Sequence, residues 1–164
     1  ATTALKGTPV QTNGDLPAPG STAPDFLLIG TDLSEKTLAD FKGKKKILTI
    51  NPSYDTAVCQ ATARTFNARA TSLDEVIVLV ISSDLPFAQK RFCVAEGLEG
   101  VVPLSTFRGS FLEDYGVEMV SGAMKGLAAR AIVVLDENNK VVHTELVSDI
   151  TREPNYDAAI AAVS

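Results

Sequence analysis

The chain has 164 residues, a length typical of one domain that can bury a core without disulfides or metals. Hydrophobic residues make up 45% and charged residues 21%, which excludes a disordered or collagen-like protein. Fifteen basic against twenty acidic residues give a net charge of −5, so we expect no nucleic-acid partner, and no apolar run is long enough to predict a membrane span.

The first 25 residues are rich in proline and glycine, which predicts turns and a short hairpin. A strand is expected at residues 25–29, followed by a short segment at 37–41. Lysines at positions 42, 44, 45 and 46 surround Gly43 and are expected to form a solvated loop. A buried strand at 47–50 follows, and Asn51 with Pro52 ends it.

Strands and helices alternate along the middle of the chain. Residues 56–70 lack proline and glycine, and Asp55 with Thr56 supplies a helix start. The aliphatic run 76–81 predicts a strand covered on both faces, and residues 84–96 predict a helix that Gly97 ends. Pro103 lies within a predicted strand at 101–104 and indicates a strand at or near the edge of a sheet.

The last part of the chain predicts a short helix at 111–115, a hairpin of strands at 131–135 and 140–147, and a helix at 154–162. This order predicts an α/β fold with a central mixed sheet and helices on both faces. We expect one domain over residues 1–164.

Cys59 and Cys93 are the two cysteines. A CxxC motif is absent, which excludes the active site of thioredoxins and disulfide isomerases. With His143 as the one histidine, the sequence offers too few ligands for a structural zinc, so no metal is expected. Three interpretations remain: both thiols are buried and inert, they form a structural disulfide, or one is reactive and the other is its partner.

The segment from Pro52 to Cys59 carries the first indication of chemistry. With Pro52 ending the strand and Thr56 as the helix N-cap, Cys59 falls at the third helical position. The unpaired N–H groups and the dipole of a first helical turn favour negative charge, so a thiol there is expected to ionise readily. Cys59 also occupies the Glu position of a capping box, within reach of the Thr56 hydroxyl. A small hydrophobic residue packed beneath the helix would fit the same pattern.

Arg130 lies in the otherwise apolar run 127–135. A buried guanidinium needs an anionic partner, which either a carboxylate or a thiolate can supply. A side chain that reaches water at the start of the strand is the remaining alternative. The planar guanidinium can hold a sulfur and a substrate oxygen together, which a lysine does less well.

These residues resemble a known family. Pro52, Thr56 and Cys59, at the spacing P-x-x-x-T-x-x-C and with the distant Arg130, resemble the active-site motif of peroxiredoxins. The segments DLPFAQKRFC at 84–93 and GLAARA at 126–131 are similar to the bacterial thiol peroxidase branch. The resemblance covers essentially the whole chain. Tyr54 and Ala57 depart from the pattern, where an aliphatic residue and a glycine are expected.

The resemblance implies a thioredoxin-like fold with an N-terminal β-hairpin and an atypical two-cysteine peroxidase that reduces hydrogen peroxide and organic hydroperoxides. It makes Cys59 the peroxidatic cysteine and Cys93 the resolving one, with Thr56, Arg130 and Pro52 in supporting roles and no cofactor. It also implies thioredoxin as the reductant and a homodimer. A redox sensor or a thioredoxin-like binding module without turnover is the alternative.

Two further expectations concern movement and location. Because a disulfide needs Cα atoms within about 7 Å, and Cys59 and Cys93 lie on separate predicted helices, we expect local unwinding around one or both of them. The sequence shows no export signal, so a cytoplasmic protein that has no membrane partner is expected.

Overall fold

A seven-stranded sheet forms the centre of the computed structural model, which describes residues 1–70 and 73–164. The strands are β1 (Thr2–Leu5), β2 (Thr8–Gln11), β3 (Leu28–Gly30), β4 (Glu35–Lys36), β5 (Lys45–Ile50), β6 (Val76–Ser82), β7 (Val102–Ser105), β8 (Ala131–Leu135) and β9 (Val141–Leu146). The helices are α1 (Ala57–Ala70), α2 (Pro86–Glu96), α3 (Phe111–Asp114) and α4 (Tyr156–Ala162), with a 3-10 turn at Leu38–Phe41.

The sheet is mixed, in the order β4-β3-β7-β6-β5-β8-β9. β6 pairs in parallel with β5 and β7, whereas the other neighbours pair antiparallel. β1 and β2 form the separate N-terminal hairpin. The predicted α/β architecture, with a mixed sheet, flanking helices and this hairpin, is therefore confirmed.

Two apolar clusters cover the two faces of the sheet. Alternate residues of β5 point to opposite faces, so Ile47 belongs to one cluster and Leu48 to the other. α1, α2 and α4 pack on the Ile47 side, whereas α3 and the 3-10 turn pack on the Leu48 side. Burial of both faces explains why β6 is an almost continuous aliphatic run. Of the described helices, none is long and apolar enough to cross a membrane.

β7 is an interior strand, third from the β4 edge of the sheet, so of the predicted positions at or near an edge, the edge itself is wrong. β7 lies between β3 and β6. The short strand β3 pairs with Leu104 and Ser105, past the proline. The ladder to β3 therefore begins where the backbone of β7 can again donate a hydrogen bond.

The prediction of a solvated lysine loop is wrong for Lys45 and Lys46, which begin β5. Lys46 is fully buried. Its ammonium donates to the carbonyl of Lys44 at 2.9 Å and to Oδ1 of Asn139 at 2.6 Å. Burial lowers the pKa of Lys46 from its ordinary value. The side chain thus ties the start of β5 to the turn between β8 and β9.

Candidate active site

Cys59 lies in the first turn of α1, as its third residue. Oγ1 of Thr56 accepts the backbone N–H of Cys59 at 3.3 Å, which is the predicted N-cap geometry. The Thr56 hydroxyl itself donates to the carbonyl of Ser53 at 3.0 Å. Its proton therefore points back along the loop rather than to the sulfur, and Thr56 acts on Cys59 through the backbone.

Arg130 donates through Nη1 to Sγ of Cys59 at 3.0 Å, across a sequence separation of 71 residues. Both side chains are buried, with 2% of Cys59 and 1% of Arg130 exposed. The alternative in which Arg130 reaches water is therefore excluded. Among the described residues, no carboxylate lies within ion-pair distance of Arg130. The sulfur is thus its candidate anionic partner.

The sheet register brings Arg130 to this place. Ile50 at the end of β5 pairs with Ala131 at the start of β8, so Asn51 and Arg130 leave the sheet side by side. Nη1 of Arg130 also donates to Oδ1 of Asn51 at 3.1 Å, and Nε donates to the carbonyl of Ile150 at 2.9 Å. The Asn51 amide is fixed in turn by its donation to the Thr49 carbonyl at 3.0 Å.

Pro52 is buried between the end of β5 and the loop that leads to α1. The missing N–H and fixed backbone angle of a proline end the strand here, as predicted. Pro52 therefore sets where the chain turns from Asn51, which contacts Arg130, towards the helix that carries Cys59.

Cys93 lies near the end of α2, with 8% of its surface exposed. It packs in the cluster between the sheet and α1, and its burial raises the pKa of the Cys93 thiol from 9.0 to about 11. Its carbonyl accepts the N–H of Leu98 at 2.9 Å, beside Gly97, which ends the helix in a left-handed conformation at φ 65°. Both cysteines are free thiols in this structure.

Tyr54 connects the surroundings of the two cysteines. Its ring packs edge to face on that of Phe92, with centroids 5.3 Å apart, and its hydroxyl donates to the carbonyl of Val80 at 2.9 Å. Burial raises the pKa of Tyr54, and the charges of Cys93, Asp84 and Cys59 raise it further. This residue, which departs from the family pattern, therefore packs in the same apolar cluster as Cys93.

Four contributors were not predicted from the sequence, namely Asn51, Tyr54, Asp84 and the carbonyl of Ile150. The sequence pattern predicts a strand end at Asn51 and a helix start at Asp84. The Asp84 carboxylate makes no capping bond to α2, and it accepts instead from the loop before α1. Two sequence signals point to Asn51 and Asp84. Asn51 is an asparagine directly after a strand, and Asp84 is a charged residue directly before Leu-Pro. Among the described residues, no cluster of three or more His, Cys, Asp or Glu could hold a metal ion.

Comparison with known proteins identifies the class. The Redoxin family model matches residues 18–160, and the chain belongs to this family. It is 48% identical over 164 residues to a thiol peroxidase of Corynebacterium glutamicum, covering 100% of this chain and 99% of that protein. It is 54% identical over 159 residues to a thiol peroxidase of Mycobacterium bovis, covering 97% and 96% of the two chains.

A solved structure agrees. The crystal structure of a peroxiredoxin-like protein from Aquifex aeolicus superposes with a TM-score of 0.94 at 40% identity, covering 99% of this chain and 95% of that one. The thioredoxin-like fold and the resemblance to thiol peroxidases, both predicted from the sequence, are confirmed.

Proposed function

We propose that the thiol peroxidase activity of this chain runs through Cys59 as the peroxidatic cysteine and Cys93 as the resolving cysteine, on hydrogen peroxide and organic hydroperoxides. The thiol peroxidase relatives support the activity. One observation carries the assignment of the nucleophile: the 3.0 Å contact between Nη1 of Arg130 and Sγ of Cys59, in a buried site at a helix start.

In the first step the Cys59 thiolate attacks the terminal oxygen of the hydroperoxide. An S–O bond forms as the O–O bond breaks, the transferred oxygen stays on sulfur as a sulfenic acid, and the leaving oxygen takes up a proton as water or an alcohol. The sulfur is oxidised and the peroxide reduced, and the reaction needs no metal or organic cofactor.

The charge of Arg130 favours the thiolate and the negative charge that develops on the peroxide oxygens. Its bonds to Asn51 and Ile150 fix the guanidinium before the reaction, so it need not reorganise during the step. Thr56 fixes the helix start through its bond to the N–H of Cys59. Pro52 covers the entry to the helix and limits further oxidation of the sulfur.

In the second step the Cys93 thiol condenses with the Cys59 sulfenic acid, which releases water and leaves an intramolecular disulfide. The pKa of about 11 keeps Cys93 protonated while it is buried. Its attack as a thiolate therefore requires exposure or local unwinding, in line with the expectation from the sequence. We assign the reduction of this disulfide by thiol exchange to thioredoxin.

The proposal also includes the domain organisation, the oligomeric state and the cellular compartment. Residues 1–164 act as one domain, and the chain functions as a homodimer in the cytoplasm, a compartment in which free thiols are kept reduced. Gel filtration with light scattering tests the dimer, and a mass of one chain in solution would contradict it.

The decisive experiment treats the reduced protein with one equivalent of hydrogen peroxide and determines its mass. A Cys59–Cys93 disulfide is expected in the native chain, a stable Cys59 sulfenic acid in Cys93→Ser, and no oxidation in Cys59→Ser. Peroxide consumption with thioredoxin, its reductase and reduced nicotinamide should continue over many turnovers. Turnover retained by Cys59→Ser would refute the nucleophile, and a disulfide without turnover would favour the redox sensor.

A further inference from the structure

We propose that Asp84 is a positioning residue for the second step: its carboxylate holds the loop before Cys59 in place, and release of this loop limits the formation of the Cys59–Cys93 disulfide. This inference rests on the proposed function, in which Cys93 attacks the sulfenic acid of Cys59. Asp84 and its three donors, Ser53, Tyr54 and Ser82, are named the Asp84 cluster.

The cluster joins two separate segments of the chain. Oδ1 of Asp84 accepts the hydroxyl of Ser53 at 2.7 Å, and Oδ2 accepts the backbone N–H of Tyr54 at 2.7 Å. Ser53 and Tyr54 form the loop between β5 and α1. The hydroxyl of Ser82 donates to Oδ2 at 2.6 Å from the end of β6. All three are charge-assisted hydrogen bonds, which are the stronger class.

Asp84 is itself fixed to the sheet and to the helix that carries Cys93. Its carbonyl accepts the hydroxyl of Ser105 at 2.6 Å. Gln89 of α2 is fully buried and donates through Nε2 to Oγ of Ser82 at 3.0 Å and to the carbonyl of Leu104 at 2.9 Å. The carboxylate therefore belongs to the rigid side, and the loop of Ser53 and Tyr54 is the part that it holds.

That loop must move before the disulfide can form. The two sulfurs have to come within about 2.05 Å. Cys59 is enclosed at the start of α1. Tyr54, in the loop before α1, packs in one cluster with Cys93, with its ring against Phe92, the neighbour of Cys93. Movement of the loop backbone at Tyr54 breaks its N–H bond to Asp84, so in this proposal opening of the Asp84 cluster precedes the meeting of the sulfurs.

The longer the Asp84 cluster stays closed, the more time a second peroxide has to react with the sulfenic acid. While the cluster is closed, Cys93 is a buried, protonated thiol that cannot attack. A second peroxide then oxidises the sulfenic acid to a sulfinic acid, which no thiol reverses. Asp84 therefore controls how the sulfenic acid divides between disulfide and sulfinic acid.

The test compares Asp84→Asn with the native chain in a rapid-mixing experiment. Reduced protein is mixed with hydrogen peroxide, quenched with acid at successive times, denatured, and analysed by mass for disulfide and sulfinic acid. Loss of the charge should raise the rate of disulfide formation about tenfold, the effect of about one charge-assisted hydrogen bond. The sulfinic fraction at high peroxide should fall accordingly. Ser53→Ala removes one charge-assisted bond from the loop side and should also give about a tenfold increase, so it provides a second test if Asp84→Asn does not fold.

A matched control separates positioning from a general loss of stability. Asp25→Asn also removes a carboxylate that accepts two backbone N–H groups, those of Phe26 and Leu38, outside both cysteine segments. It should leave the disulfide rate unchanged. An equal acceleration in Asp25→Asn, or an unchanged or slower rate in both Asp84→Asn and Ser53→Ala, would overturn the inference.

The first step is measured separately in the Cys93→Ser background. Adding Asp84→Asn there measures its effect on sulfenic acid formation, which should fall by less than the disulfide rate rises. A loss of sulfenic acid formation without any rise in the disulfide rate would show that Asp84 acts on the first step alone and would overturn the inference. Failure of the proposed function has a different signature, because native protein would then take up no oxygen at Cys59. Normal disulfide formation in native protein with an unresponsive Asp84→Asn would reject the role of Asp84 alone.

Discussion

Arg130 joins three distant parts of the chain at one buried point. It contacts Asn51 at the end of β5, Cys59 in α1 and the carbonyl of Ile150 after β9. A guanidinium can serve several acceptors in one plane, whereas an ammonium is a compact point charge. The arrangement therefore requires the shape of arginine as well as its charge.

Arg130→Lys should lower the second-order rate constant for peroxide by about 10²–10³, the usual loss when one preorganised donor is removed from a charged transition state. The charge remains, but the bonds to Asn51, Ile150 and the sulfur cannot all be kept. Stopped-flow measurement of the first oxidation gives this constant. Arg64→Lys, which alters an exposed ion pair with Glu96, is the control and should react like the native chain. A native rate in Arg130→Lys would contradict the role assigned to Arg130.

Burial of Cys93 predicts a dependence of stability on alkaline pH. Its pKa is raised from 9.0 to about 11, so the folded state keeps the proton in a range where the unfolded state loses it. The contribution is complete below pH 9.0 and is lost as the pH rises to about 11. Urea unfolding under reducing conditions should show a steeper fall in the free energy of unfolding for the native chain than for Cys93→Ser. Parallel curves would show that the thiol is not protected by burial.

At the scale of elements, the hairpin β1–β2 is attached to the segment that orients Arg130. The carboxylate of Asp149 accepts the N–H groups of Lys6 and Gly7 in the hairpin turn, at 3.2 and 2.9 Å. The N–H of Ile150 donates to the carbonyl of Ala4 at 2.8 Å, and the carbonyl of Ile150 accepts from Arg130. The hairpin thus contributes to the placement of the guanidinium.

Asp149→Asn should lower both the stability and the rate of the first oxidation at neutral pH, because it loosens this attachment. Hydrogen bonds from Thr151, and then from Gly7 and Lys6, hold the pKa of Asp149 well below its ordinary value of 3.8. Its contribution is therefore present above pH 3.8 and is lost as the pH falls below that value. Urea midpoints of the native chain and Asp149→Asn should converge on acidification. Asp136→Asn, in the exposed turn before β9, should not affect the oxidation rate.

At the scale of the whole molecule, a rigid sheet carries two helix ends that are free to rearrange. The central strands β5, β6 and β8 are buried on both faces, whereas Cys59 lies in the first turn of α1 and Cys93 near the last turn of α2. Terminal helical turns open with less free energy than central strands. The reaction cycle should therefore leave the sheet unchanged.

Amide hydrogen exchange before and after one equivalent of peroxide measures this difference. The oxidised protein should exchange faster at the start of α1 and at the end of α2, and at unchanged rates in β5, β6 and β8. Cys93→Ser, which forms no intramolecular disulfide, should show no such increase. Identical exchange in both redox states of the native chain would contradict local unwinding.

The sequence predicts those parts of this molecule that depend on short, local sequence patterns. The helix start at Thr56 and the aliphatic strand β6 follow from short patterns, and the structure agrees with both. The apolar run around Arg130 allows a buried guanidinium or one that reaches water, and the structure has the buried one. Lys46 could not be placed, because its neighbours Lys44 and Lys45 have the composition of a surface loop while its partner Asn139 lies far along the chain. Pairs such as Asp84 with Ser53 depend on tertiary distance and have no counterpart in spacing.

The enclosure of the Cys59 sulfur, 2% exposed, has a practical consequence for chemical probing. Because the sulfur is buried, a bulky alkylating reagent can react with it only during transient opening of the helix start. Labelling kinetics of the reduced protein will then report the frequency of that breathing motion rather than the intrinsic nucleophilicity of the thiol. An oxidant as small as a peroxide can reach the sulfur without this opening, so its reaction rate reports the reactivity of the thiol itself.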